Sequence, residues 1–113
     1  MSNLEQTLIV VKPDGFKKGL VGKIISRFEE KGFQIVSLKS FQFDENTARK
    51  FYEVHKDKHF FSELVSFICS GKTVGCILEG TNAISTVRLM VGNTKSTEAL
   101  PGTIRGDFGV GST

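Results

Sequence analysis

The sequence predicts an α+β fold: a ferredoxin-like β-α-β-β-α-β sandwich whose antiparallel sheet carries helices on one face. The first observation is the order of predicted elements, β-α-β-(α)-α-β-α, in which a split βαβ unit is followed by a second βα unit. The second is the length of 113 residues, which suits one domain spanning residues 1–113 with a core of its own. On this template we expect the last strand to be missing, because residues 93–113 form a long loop without usable periodicity.

The first strand and the first helix have clear boundaries. Residues 7–12 (TLIVVK) form a short apolar run that PDG stops, which is typical of a buried strand ending in a turn. Apolar side chains then recur at i, i+3, i+4 and i+7, which predicts an amphipathic helix. They are Val21, Ile24, Ile25 and Phe28. The basic Lys31 and the glycine Gly32 are typical of a helix end.

The middle of the chain predicts a strand and two helices. Residues 33–43 (FQIVSLKSFQF) are β-rich and roughly alternating, so they predict a second strand. Asp44 is a good N-cap for a helix with a stripe formed by Ala48, Phe51, Tyr52 and His55. A polar break at residues 56–59 separates it from another helix that ends at Gly71. The stripe of that helix consists of Phe61, Leu64, Val65 and Ile68.

The last predicted strand and helix precede the long loop. Residues 73–78 (TVGCIL) predict a strand, and Gly80 is expected to begin a turn. Asn82 or Thr81 is expected to cap a helix that ends at Gly92. Its apolar face consists of Ile84, Val87 and Val91.

The composition is that of an ordinary soluble globular protein. Hydrophobic residues make up 39% and charged residues 24% of the chain, and the net charge of +3 only mildly favours anionic partners. The basic residues are scattered, which does not favour nucleic-acid binding. Cys69 and Cys76 form no CxxC pattern, and no secretory segment or membrane-length apolar run occurs, so we expect reduced thiols and a cytoplasmic protein.

Candidate phosphate-binding residues lie on separate predicted elements. Lys12 ends a buried strand, Arg88 lies on the last helix, Thr94 follows it, and Arg105 lies in the long loop. Polyphosphate binding requires several positive donors that converge, because the charge is spread over many oxygens. Taken singly, each of these residues is more often a surface group. Spacing alone does not show that they converge.

The aromatic and histidine candidates are more ambiguous. Phe60 is turned away from the stripe of its helix, where it could stack on a base or fill a cleft. His55 and His59, at i and i+4, could form half a metal site. No acidic or cysteine ligand stands at metal spacing from them, so we expect surface imidazoles and no metal site. No serine or cysteine lies in a nucleophile signature.

Together these residues resemble the nucleoside diphosphate kinase family. The resemblance runs from about Thr7 to Phe108 through TLIVVKPDGFKKGLVGKIISRFEEKGF, FF..LV....SG, EG.NA, R.M.G.T and the highly specific PGTIRGDF. It implies transfer of the terminal phosphate of a nucleoside triphosphate to a nucleoside diphosphate through a phosphohistidine, with Mg²⁺ on the phosphates. It also implies a ferredoxin-like fold and a homo-oligomer, usually a hexamer or a tetramer. Residues 93–113 would be most of the long loop that shapes the nucleotide cleft.

The resemblance also implies roles for six residues at matching positions. Lys12 would bond the ribose hydroxyls, with Tyr52 against it, and Phe60 would stack on the base. Arg88, Thr94 and Arg105 would hold the phosphates.

The departures from the family pattern concern mainly packing, with one exception. The family usually has Pro at His59 and Lys72, often Trp at Leu78, and often Asn-Pro where residues 95–96 are Lys-Ser. The family nucleophile lies in an Asn-x-x-His-Gly-Ser-Asp segment beyond GTIRGDF, and this segment is not in the sequence. We therefore expect no catalytic residue before Thr113, and neither His55 nor His59 takes that role.

Two other functions stay open from the sequence. The chain could be a non-catalytic nucleotide-binding or scaffold relative in which the cationic residues persist without transfer. It could also be a basic ferredoxin-like module that binds RNA, although it lacks the aromatic strand pattern expected there.

Overall fold

The computed structural model describes residues 3–93 and 98–109, which contain three strands, six α-helices and one 3₁₀ turn. In chain order the elements are β1 (Leu4–Val11), α1 (Pro13–Lys17), α2 (Val21–Lys31), β2 (Gln34–Phe41), α3 (Glu45–Phe51), the 3₁₀ turn (Glu53–His55), α4 (Phe61–Cys69), β3 (Thr73–Thr81), α5 (Ala83–Val91) and α6 (Ile104–Phe108).

The three strands form one antiparallel sheet in the order β1-β3-β2. Cys76 at the centre of β3 lies opposite Ile9 of β1 and Leu38 of β2. Thus β3 is inserted between β1 and β2, with α2 connecting them, which is the predicted split βαβ unit. Among the described residues β1 is paired on one side only, so its other edge is open.

The main core lies between the sheet and the helices α2, α5 and α6. Phe28 of α2 and Leu78 of β3 are completely buried in it, and Ile104 of α6 is 4% exposed. Burying one such side chain contributes about 1.5–3 kcal/mol relative to leaving it exposed. This packing fixes the helix layer on the sheet and holds α6 at one end of the cavity described below.

A second apolar cluster joins α3 and α4 beside the sheet. Its buried members are Phe43, Ala48, Tyr52, Leu64, Val65 and Ile68. Phe41 at the end of β2 packs against this cluster. The pair of helices is thereby attached to the sheet at the end where Lys12 follows β1.

Several predicted boundaries are confirmed. The Asp44 carboxylate accepts a hydrogen bond from the Thr47 amide at 2.7 Å, so it caps α3 as expected. Gly32 ends α2 in the left-handed region, with φ of 109°. Asn82 precedes α5, but it does so with φ of 53° and no side-chain cap.

Two predictions about helix and strand interiors are wrong. The stripe through His55 is not one helix, because α3 ends at Phe51 and a separate 3₁₀ turn follows; Phe51 itself is 40% exposed. Gly80 does not begin a turn but lies within β3. A Cβ at Gly80 would lie 2.5 Å from a ring carbon of Phe33, so close packing requires the glycine there.

Two short helices were not predicted. PDG begins α1 instead of a plain turn, because Pro13 occupies the first helical position, where no amide donor is needed. Within the expected loop at residues 93–113, the helix α6 begins directly after Thr103, whose hydroxyl caps it by accepting a hydrogen bond from the Gly106 amide.

The predicted single domain at residues 1–113 stays a prediction. No helix in the described part of the chain has the length and apolar character needed to cross a bilayer.

Candidate nucleotide-binding site

A cavity of about 500 Å³ lies along the open edge of β1. Its walls come from β1, α2, α5 and α6, and consecutive residues at the end of β1 line it. Apolar side chains such as Ile9, Phe28 and Val87 form part of the lining. The charged residues that line it are Lys12, Arg88 and Arg105, together with the carboxylate of Asp14. Three cations from three separate elements therefore face one cavity.

Lys12 is positioned by the junction between β1 and α1. Its carbonyl accepts the first hydrogen bond of α1, from the Phe16 amide at 3.0 Å, which fixes the backbone there. Burial lowers the pKa of Lys12, the charge of Arg105 lowers it further, and Asp14 opposes both effects. An anion placed near Lys12 and Arg105 would relieve their mutual repulsion.

Arg105 is held by α6 and by the end of α5. Its Nη1 donates a hydrogen bond to the Gly92 carbonyl at 3.1 Å. Gly92 has φ of 92°, and a Cβ there would lie 2.7 Å from the Thr103 side chain, so only glycine permits this close approach. Burial lowers the pKa of Arg105, but a guanidinium remains charged in proteins.

Arg88 lies on α5 and is exposed, in contrast to Lys12 and Arg105, which are partly buried. Its place among the residues that line the cavity brings a third cation to the site. Thr94, the remaining phosphate-binding candidate, lies outside the described residues.

Within the described ranges, Tyr52 and Phe60 do not line the cavity, and only Tyr52 contacts a residue that does. The Lys12 ammonium lies 5.8 Å from the centroid of the Tyr52 ring, a cation–π arrangement. Tyr52 is buried, and its hydroxyl has no hydrogen-bond partner among the described residues. Phe60 is half-buried against the α3–α4 cluster, with the Lys58 ammonium 5.6 Å from its ring centroid.

His55 connects these two rings and was not predicted as a site residue. Its ring centroid lies 6.4 Å from that of Tyr52 and 5.8 Å from that of Phe60. It is half-buried, and its Nδ1 is buried without a partner among the described residues, so it is not the surface imidazole that we expected. His59 is exposed and lies edge-on to Phe60. Tyr52 and Phe60 were predicted as site residues from the sequence, but nothing in the sequence indicated that His55 lies between their rings.

Asp14 is the second residue that sequence reasoning missed. It lines the cavity, and its charge raises the pKa values of both Lys12 and Tyr52. Its position in PDG directly after an apolar strand is a signal that could have identified it. Among the described residues, no three His, Cys, Asp or Glu side chains come together as a metal site.

Comparison with known proteins decides the family. The family model described as nucleoside diphosphate kinase matches residues 5–113. The chain belongs to this family. It is 51% identical over 104 residues to the nucleoside diphosphate kinase of Saccharolobus solfataricus, covering 92% of this chain and 75% of that protein. It is 52% identical over 104 residues to that of Methanocaldococcus jannaschii, covering 92% and 74%.

Solved structures agree with this assignment. The Aquifex aeolicus nucleoside diphosphate kinase superposes with a TM-score of 0.90 at 49% identity, over 93% of this chain and 77% of that one. The Halobacterium salinarum enzyme, solved in complex with CDP, gives a TM-score of 0.91 at 46% identity, over 92% and 68%. The predicted resemblance and the ferredoxin-like α+β fold are thus confirmed, and membership of the nucleoside diphosphate kinase family makes the chain a phosphotransferase by family.

Proposed function

We propose that the cavity beside β1 binds nucleoside di- and triphosphates, and that this site serves transfer of a terminal phosphate through a phosphohistidine. The observation that carries the proposal is the convergence of Lys12, Arg88 and Arg105 on one cavity. The charge of Arg105 lowers the pKa of Lys12, so these two cations repel each other, and a polyphosphate in the cavity would relieve that repulsion. The Halobacterium relative, solved with CDP, supports the same substrate class.

The division of roles follows from chemistry and position. The guanidinium groups of Arg88 and Arg105 suit phosphate oxygens, because each offers a planar fork of donors. Lys12 bonds the ribose hydroxyls, and Tyr52 supports Lys12 from behind. Thr94 completes the phosphate contacts in this proposal.

Phe60 provides the stacking surface for the base. Stacking uses the π-face that every base has, so it accounts for low base selectivity. The half-buried position of Phe60 supports this role, because one side of the ring is fixed by the α3–α4 cluster. His55 lies between Phe60 and Tyr52 and extends the same surface.

Mg²⁺ enters this proposal with the nucleotide. The residues present fit that arrangement, since Mg²⁺ in such sites is usually bound by one or two carboxylates together with substrate phosphates. Asp14 is the carboxylate that lines the cavity. When bound, the ion would neutralise phosphate charge, while Arg88 and Arg105 orient the phosphates.

The nucleophile is absent from the proposed set of residues. Neither His55 nor His59 lines the cavity, and neither matches the family's nucleophile segment. Covalent transfer requires its nucleophile, so we expect these 113 residues alone to bind nucleotide without transferring phosphate. A second candidate is a non-catalytic nucleotide-binding or scaffold relative, in which the three cations at the cavity bind nucleotide without transfer. We further propose a cytoplasmic homo-oligomer, a hexamer or a tetramer.

The test separates binding from transfer. The purified 113-residue polypeptide is incubated with γ-labelled ATP and GDP while ADP binding is measured in parallel. We expect saturable ADP binding, no labelled protein and no labelled GTP above background. An acid-labile phosphohistidine mapped to His55 or His59 would overturn the assignment of the nucleophile. Absence of nucleotide binding would overturn the binding site itself.

A further inference from the structure

Arg27 makes three contacts with the segment that carries Arg105. Its Nη2 lies 2.8 Å from the Asp107 carboxylate, and its Nη1 donates to the Gly102 carbonyl at 3.2 Å. Its guanidinium carbon also lies 4.5 Å from the centroid of the Phe108 ring. One side chain of α2 therefore contacts α6 and the turn before it through an ion pair, a hydrogen bond and a ring.

The Asp107 carboxylate completes this arrangement from within the segment. Its other oxygen accepts a hydrogen bond from the Gly102 amide at 2.9 Å. Gly102 therefore donates to Asp107 through its amide and accepts from Arg27 through its carbonyl. The turn at Gly102, the helix α6 and the helix α2 form one closed network.

α6 needs such external contacts because it is too short to be stable alone. It has five residues, and isolated helices shorter than about 12–15 residues are marginal in water. Ile104 anchors α6 in the core, and Phe108 packs partly buried against the same core. The three contacts of Arg27 lie at the C-terminal end of α6 and in the preceding turn, so together with this packing they fix the rotation of α6 about its axis.

The direction of Arg105 depends on that rotation. Arg105 lies two residues before Asp107 on α6, and it lines the cavity while donating to Gly92. Arg27 itself does not line the cavity. It can therefore influence a bound phosphate only through the segment that it holds.

We infer that Arg27 is a positioning residue for phosphate binding, which acts by holding α6 so that Arg105 points into the cavity. This inference rests on the proposed function of the cavity. The direction of Arg105 matters for binding, because the charge-assisted hydrogen bonds of a guanidinium to phosphate are short and geometrically specific.

The experiment uses the whole 113-residue protein and the variant Arg27→Met. This substitution removes the guanidinium and leaves an unbranched side chain in place of the alkyl part of the arginine. Arg49→Met is the matched control, because Arg49 also pairs with a carboxylate (Glu45, 3.4 Å) and lies over a ring (Phe61, 5.7 Å), away from the cavity. Dissociation constants for ADP are measured by calorimetry in the wild-type and Arg105→Ala backgrounds. Backbone hydrogen exchange of residues 98–109 is measured without ligand.

We expect Arg27→Met to weaken ADP binding about tenfold in the wild-type background and less than about twofold in the Arg105→Ala background. In Arg27→Met we also expect faster backbone hydrogen exchange at residues 98–109 than in Arg49→Met. The variant Arg27→Lys should recover part of the lost ADP affinity.

Equal weakening of ADP binding in both backgrounds, or unchanged affinity with only a lower melting temperature, would overturn the inference. If the wild-type protein binds no ADP, the proposed function fails. If it binds ADP and Arg27→Met binds it equally well, only the positioning role fails.

Discussion

The Lys12 ammonium lies 5.8 Å from the centroid of the Tyr52 ring, so the cation that follows β1 lies against the residue that follows α3. This contact links a residue that lines the cavity to the α3–α4 cluster. Burial raises the pKa of Tyr52, and the charge of Asp14 raises it further. The phenol is therefore neutral at physiological pH and can donate a hydrogen bond.

Tyr52→Phe tests what that hydroxyl does. It is buried without a hydrogen-bond partner among the described residues, so its removal should raise the free energy of unfolding by about 1 kcal/mol. If the hydroxyl donates to bound nucleotide, ADP affinity should fall about tenfold in the same variant. Urea unfolding and calorimetry measure the two effects. A clear loss of stability would show that the hydroxyl is already satisfied in the free protein.

Binding of ADP should take up a proton at Lys12 under alkaline conditions. The pKa of Lys12 in the free protein is lowered by burial and by Arg105, and a bound polyphosphate raises it again. Protonated Lys12 therefore binds more tightly, and affinity falls as the pH rises through the lowered pKa.

Calorimetry at about pH 9 in buffers of different ionisation enthalpy measures this proton uptake. Lys12→Arg is the matched control, because it keeps the charge but does not titrate in this range. Affinity that rises with pH, or equal uptake in Lys12→Arg, would contradict the role of Lys12.

Phe60→Leu should weaken ADP, GDP and CDP binding to the same extent. The expected cost is about 1–3 kcal/mol for each nucleotide, because the ring stacks on any base. Phe61→Leu is the control: its ring is adjacent in sequence but begins α4 and lies near Arg49. A loss that differs strongly between the three nucleotides would mean that Phe60 reads the base edge instead of stacking.

The sequence predicted the sheet and α2 because their patterns are local and strong. The apolar run in β1 and the 3.6-residue stripe of α2 are visible without tertiary information. The prediction of one helix through Ala48–His55 was wrong, because the 3₁₀ turn at Glu53–His55 continues a similar spacing of stripe residues after α3 has ended. Gly80 looked like a turn residue, since the Phe33 ring that requires the glycine is 47 positions away.

The candidate site was only partly predictable. Lys12, Arg88 and Arg105 line one cavity, which spacing alone does not show and which depends on the packing of β1, α5 and α6; their nucleotide-binding role stays a prediction. Arg27 gave no signal in the sequence beyond a basic residue in a helix, because its partners Gly102 and Asp107 are far along the chain. His55 was misjudged because its burial depends on how the 3₁₀ turn places it between two rings.

Calorimetric titration of the 113-residue protein with ADP is the most direct test of the central claim that the cavity beside β1 is a nucleotide site. We predict one saturable site per chain, weakened about 10- to 100-fold by Arg105→Ala, since hydrogen bonds to charged groups contribute about 1.5–3 kcal/mol. Arg49→Ala, which removes an exposed cation away from the cavity, should leave the affinity unchanged. No saturable binding, or equal weakening by Arg105→Ala and Arg49→Ala, would contradict the account.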